Sequence, residues 1–163
     1  MVEIEQRVLD VVTATGVPFE SMACDPELAD TAAFCEHYGF SLDDSANTIV
    51  VASKGESPVF AACVVLATHR LDVNGTVRKR LGVRKVSFAP PELTAEVTGM
   101  AMGGVTPFGL PDGLPLWIDA AVMERQRVVV GGGSRAMKII GSPAMLNALA
   151  NAEVVDGLAK PFV

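Results

Sequence analysis

Two stretches of this 163-residue chain, residues 48–52 (TIVVA) and 60–68 (FAACVVLAT), are apolar at nearly every position rather than at alternate ones. A strand with one wet face alternates; a strand buried on both faces does not. Two such strands, joined by Ser53-Lys54-Gly55-Glu56-Ser57-Pro58, demand a sheet covered above and below. That excludes a helical bundle and a one-sided antiparallel sheet, and it sets the terms for every other segment.

The flanking segments supply the cover. Ile4, Val8, Val11 and Val12 recur at helical spacing, and Gly16-Val17-Pro18 ends that helix. Residues 19–24 suit an edge strand. Asp25-Pro26 reads as the cap and first position of a helix running to Gly39. A short basic helix is expected over 72–82, a strand over 85–89, and a helix from Pro90-Pro91 to a stop at Gly99. Strands follow at 116–122, 127–130 and 136–140, the last two joined as a hairpin by Gly131 to Arg135. Ser142-Pro143 opens a last helix through Ala150. The expectation is one α+β (mixed α/β) domain over 1–163. Its central mixed sheet would have about six to seven strands, surrounded by short helices.

Composition narrows the function classes. Half the residues are hydrophobic and 20% are charged, as in a globular protein. The longest apolar run is strand-sized, so no membrane partner is expected. There is no basic-then-apolar leader pattern. Cys24, Cys35 and Cys63 are odd in number and lack metal-ligand spacing, which fits reduced thiols and a cytoplasmic location, with no metal. Neither a dinucleotide fingerprint nor a phosphate-binding loop is present, and no cofactor is expected. Charge is uneven: residues 1–56 hold eleven acids and two bases, residues 57–163 eight acids and eleven bases. Arg70, Arg78, Lys79, Arg80, Arg84 and Lys85 lie close together in sequence, as a solvated helix face or a nucleic-acid contact would have them.

Polar chemistry is sparse. His69 and Arg70 end a strand, and Asp119 sits within the apolar run Leu116-Trp117-Ile118-Asp119-Ala120-Ala121-Val122. A buried charge there needs a base or backbone N–H groups around it. The segment from Thr98 to Pro111 carries Gly99, Gly103, Gly104, Gly109 and Pro107 between a helix and a strand. Such a loop brings bare backbone close to a ligand and aims N–H groups at an oxygen that gains charge.

Taken in order, Gly103-Gly104-Val105-Thr106-Pro107-Phe108-Gly109, Leu116-Trp117-Ile118-Asp119 and Gly132-Gly133-Ser134-Arg135 resemble the YbaK/ProX family. Its members are aminoacyl-tRNA deacylases related to the editing insertion domain of bacterial prolyl-tRNA synthetases. The likeness covers roughly residues 20–150 and includes a G-x-x-x-P pattern at Gly103 and Pro107. It implies hydrolysis of the ester at the 3′ acceptor end of a mischarged tRNA, possible association with a synthetase, and catalysis by backbone groups and the substrate's own ribose hydroxyl. On this reading Gly103, Gly104 and Pro107 are catalytic, and Asn47, Arg70, Thr106, Asp119, Ser134 and Arg135 bind substrate. Gly104→Ala is then expected to block hydrolysis more than folding. One departure stands out: a Lys-Thr-Leu triplet usual in the family is Asn47-Thr48-Ile49 here. Either another base, Arg70 or Arg135, reaches the site, or the substrate differs. Cys24 lies where relatives often have histidine. The alternatives are a non-catalytic tRNA- or protein-binding module on the same fold and a hydrolase of small esters or amides.

Overall fold

The two continuous apolar stretches form neighbouring strands of a five-stranded sheet. In the computed structural model, which describes residues 2–162, they are β2 (Ala46–Ser53) and β3 (Phe60–Leu66), antiparallel from Ala46 opposite Leu66 to Ala52 opposite Phe60. Ala62, Val64 and Leu66 face one core, while Ala61, Cys63 and Val65 face another. That double burial is the reason the sequence shows no alternation. β5 (Val86–Phe88) pairs antiparallel with β2; β6 (Leu116–Asp119) and β9 (Ala152–Val155) add in parallel beyond β3, giving the order β5-β2-β3-β6-β9.

A second, antiparallel sheet, β1-β8-β7, consists of β1 (Phe19–Ala23), β8 (Met137–Gly141) and β7 (Val128–Gly131). Val128, Val130, Met137 and Ile139 point into the core that β3 and β6 also fill, together with Val8 and Val12 of α1 (Glu3–Ala14). The hairpin therefore lies opposite the five-stranded sheet instead of extending it. The strands expected in one sheet are shared between two layers, joined by a bridge between Ser45 and Val129. β4 (His69–Leu71) and β10 (Ala159–Pro161) make a two-stranded ribbon.

Several boundaries differ from those expected. The strand from Leu116 ends at Asp119, and Ala120–Met123 coils into α5; a continuous apolar run does not by itself separate helix from strand. The 25–39 helix divides into a 3₁₀ turn, Pro26–Leu28, which Asp25 caps through Glu27 N–H, and α2 (Thr31–Tyr38), which stops at Gly39 with φ 79°. The basic helix opens as a π-helical turn (Val73–Val77), where Asp72 accepts from Thr76 N–H, before α3 (Arg78–Leu81). α4 (Pro91–Thr98) ends at Gly99, whereas α6 (Ala144–Asn147) stops short of Ala150. β4, β9 and β10 are short and partly polar, with no period to announce them.

Among the described residues, no helix is long and apolar enough to cross a membrane.

Candidate functional site

The free edge of β2 before its pairing with β5, the start of α2, the glycine-rich loop and the β7–β8 sheet enclose a cavity of about 340 Å³. Asn47, Thr48, Asp30, Thr31, Met102, Gly103 and Lys138 line it, over an apolar floor that includes Phe34 and Val130. Its size suits one small organic group. Asn47 accepts from Thr31 Oγ1 at 2.7 Å, so its carbonyl oxygen is engaged and its NH2 is its donor.

The loop is pinned atom by atom. Gly104 N–H donates to Ala101 O at 2.9 Å, and Gly133 N–H donates to Gly104 O at 2.7 Å. Lys138 Nζ donates to Gly103 O at 3.2 Å, and Arg135 Nη1 to Met102 O at 3.0 Å. Both ends of the Gly103–Gly104 peptide are thus held, while Gly103 N–H has no partner among the described residues. The second glycine cluster explains the first. A methyl at Gly104 would lie 2.6 Å from the Ser134 backbone, and one at Gly131 would lie 2.4 Å from Val105 O. The two loops pack backbone to backbone, which only glycine allows.

Lys138 is the residue that sequence reasoning missed. On β8 it alternates outward between Met137 and Ile139, opposite Met22 of β1, and is 7% exposed. Its ammonium donates to Ala29 O at 2.7 Å and stands 5.2 Å from the Phe34 ring. Burial holds its pKa below the usual lysine value; Arg135 pushes the same way, and Cys24, Asp30 and Cys35 oppose. Burial likewise raises the Cys24 and Cys35 thiols, so neither is an activated nucleophile. The signal for Lys138 was in the sequence: a charge inside the apolar run Met137-Lys138-Ile139-Ile140, the same pattern that drew attention to Asp119.

Of the residues expected at the site, the structure brings Asn47 and Gly103 to the cavity. Arg135 stands behind the loop, bound to Pro26 O, to Asp30 Oδ1 at 3.1 Å and to Met102 O; it braces the wall and does not line the cavity. Gly104, Thr106 and Pro107 are buried in the loop's interior, Thr106 with an unpartnered hydroxyl. The expectation for Gly104→Ala is therefore corrected: the added methyl meets Ser134, not the substrate space, and its N–H is already engaged by Ala101. Ser134 bonds the Glu5 carboxylate and accepts from Ala136 N–H, tying the turn to α1. Asp119, 2% exposed, accepts from Ala159 N–H at 3.2 Å and anchors β10, away from the cavity.

Arg70 lies in a second cavity of about 770 Å³, which shares Asn47 and Ile49 with the first and is also lined by His69, Lys160, Phe88 and Phe162. Phe88 and Phe162 are exposed, and Lys160 faces Asp72 at 3.9 Å. Part of the basic run is committed elsewhere: Arg80 pairs with Glu153 and lies over Trp117. Among the described residues no group of His, Cys, Asp and Glu converges as a metal site would.

Comparison with known proteins places this geometry. The family model of the aminoacyl-tRNA editing domain matches residues 25–149. A crystal structure of a candidate trans-editing enzyme for prolyl-tRNA synthetase superposes with a TM-score of 0.81 at 23% identity, covering 99% of each chain. A crystal structure of a hypothetical protein gives 0.82 at 24% identity, over 94% of this chain and 99% of that one. At such identities the two structures establish a shared fold.

Proposed function

Because this chain belongs to the aminoacyl-tRNA editing domain family, we propose that it hydrolyses the ester of mischarged aminoacyl-tRNA at the cavity between Asn47 and Gly103. A water attacks the ester carbonyl, the tetrahedral intermediate carries its charge on the former carbonyl oxygen, and collapse returns the amino acid and the tRNA 3′ end. A backbone donor held rigidly at the oxyanion is the largest single contribution such a site makes. The observation that carries the reading is the clamped loop backbone beside the cavity: Arg135 holds Met102 O, in the peptide that carries Gly103 N–H, and Lys138 and Ala101 hold the next peptide, so that Gly103 N–H is kept in place as the donor. Gly104 and Pro107 shape the loop. With Gly104 N–H on Ala101 O, the backbone hole has one donor from this pair, not two.

The second cavity extends the site along β2 through Asn47 and Ile49. Arg70 and Lys160 meet phosphates there, and Phe88 and Phe162 offer faces on which unpaired bases stack. The acceptor end of a tRNA, single-stranded at its 3′ terminus, has that chemistry. The amino acid enters the smaller cavity, whose size sets an upper limit on the side chain without separating the small ones from each other. The protein works in the cytoplasm, where charged tRNA is made, beside a synthetase or free of it.

The test is release of amino acid from a panel of mischarged tRNAs, proline tRNA carrying small non-cognate residues among them. Release above the uncatalysed rate is expected for at least one. Salt-dependent binding with no release would instead identify a binding module.

A further inference from the structure

We infer that Lys138 is the cationic substrate-binding residue of the cavity. Its ammonium is anchored by two carbonyl oxygens and presents its remaining N–H to an oxygen of the bound ester or of the ribose that bears it. The inference rests on the deacylase reading above.

An ammonium has three donors. Lys138 directs one to Ala29 O at 2.7 Å and one to Gly103 O at 3.2 Å, and its side chain lines the cavity. Among the described residues it makes no ion pair, since the nearby Asp30 carboxylate is engaged by Arg135. A desolvated cation that forms no ion pair is costly, and Asp30, turned to Arg135, offsets that cost only in part. The two carbonyls take two of its three donors; the third has no partner among the described residues, and a polar ligand in the adjoining cavity would take it.

No other base lines this cavity among the described residues. Arg70 opens onto the neighbouring one, and the Arg135 guanidinium is bound to Pro26 O, Asp30 and Met102 O. Lys138 also fixes the loop, because the carbonyl it holds belongs to the peptide that follows Gly103 N–H. The charge orients the substrate as well: the α-ammonium of an aminoacyl ester is repelled and turns away, and the ester and ribose oxygens are drawn in.

The test compares wild type, Lys138→Met and the double variant Asn47→Lys/Lys138→Met, the last returning a cation to the same cavity from β2. Deacylation is read as kcat and KM, binding with an adenosine whose 3′ ester oxygen is replaced by NH, and folding as Tm. Loss of a charged hydrogen bond predicts a fall of about ten- to a hundredfold in kcat/KM for Lys138→Met. Affinity for the amide analogue should fall with it, Tm should change little because relief of the buried charge offsets the donor lost to Ala29 O and Gly103 O, and the double variant should recover part of the rate. Unchanged rate and affinity in Lys138→Met would overturn the inference. So would a loss matched by a fall of several degrees in Tm with no recovery in the double variant, the pattern of a structural lysine. If wild type binds the analogue but releases no amino acid, the deacylase reading fails, while weaker binding by Lys138→Met still upholds the cation's role.

Discussion

Asp119 and Lys138 make an instructive pair. Each is a charge within an apolar strand, and each is nearly sealed from solvent, at 2% and 7% exposure. Asp119 is enclosed by protein: one carboxylate oxygen holds Ala159 N–H, and the other has no partner. Lys138 is nearly as enclosed, but its side chain lines a cavity. Burial of a charge marks a residue the fold is built around; the space beside it decides whether the fold or a ligand is served.

The pair is sharpened by a double dissociation. Lys138→Met should remove most of the activity at little-changed Tm, since relief of the buried charge offsets the donor lost to Ala29 O and Gly103 O, whereas Asp119→Ala should lower stability by about 1–3 kcal/mol as Ala159 N–H loses its acceptor. Thermal melts and deacylation per folded molecule, measured on both, check this. Activity lost at full stability in Asp119→Ala would break the comparison. Next in size is Gly104→Ala, whose methyl meets the Ser134 backbone at 2.6 Å. Overpacking of this kind costs about 1–3 kcal/mol, so a clear fall in Tm should precede any change in chemistry.

The sheet's centre was legible because double burial writes itself as continuous apolar sequence, and the helix stops because Gly39, Gly82 and Gly99 adopt positive φ. The motif pointed to the glycine loop as one that approaches a ligand, and Gly103 of that loop does line a cavity. What the chain pattern did not carry was which face each strand presents. Lys138 and Asp119 gave the same local signal, and the register of β8 against β1, with α2 laid over it, separates them. Nor could sequence tell that Gly104 N–H is consumed by a turn to Ala101. The two-layer arrangement was hidden for a related reason: an apolar hairpin facing a core reads alike whether it extends a sheet or opposes it.

Smaller effects separate the two cavities. Arg70→Ala or Lys160→Ala should weaken tRNA binding across sequences, with little effect on hydrolysis of a free aminoacyl ester. Each should also reduce the salt slope by about one for every phosphate that is no longer neutralised. Binding titrations at several salt concentrations read this directly; an unchanged slope would remove the second cavity from the RNA path.

The smallest effect is alkaline stability. Lys138 has a folded pKa below its unfolded value of 10.5, so between the two the unfolded chain holds more protons and stability rises with pH. Cys63 runs the other way. Burial raises its pKa from 9.0 to about 12, so in that window the unfolded chain releases its proton first and stability falls, by at most about 1.4 kcal/mol per pH unit. Lys138→Met should lose the rising component and keep the falling one. Denaturant midpoints taken across the alkaline range resolve the two; an identical profile in the variant would mean that burial does not depress the lysine.

The most direct measurement is the release of amino acid from mischarged tRNA by wild type and Lys138→Met side by side. The account predicts release above the uncatalysed rate for wild type and about ten- to a hundredfold less for an equally stable variant. Wild type no faster than the blank on every tRNA, or a variant as fast as wild type, would contradict it.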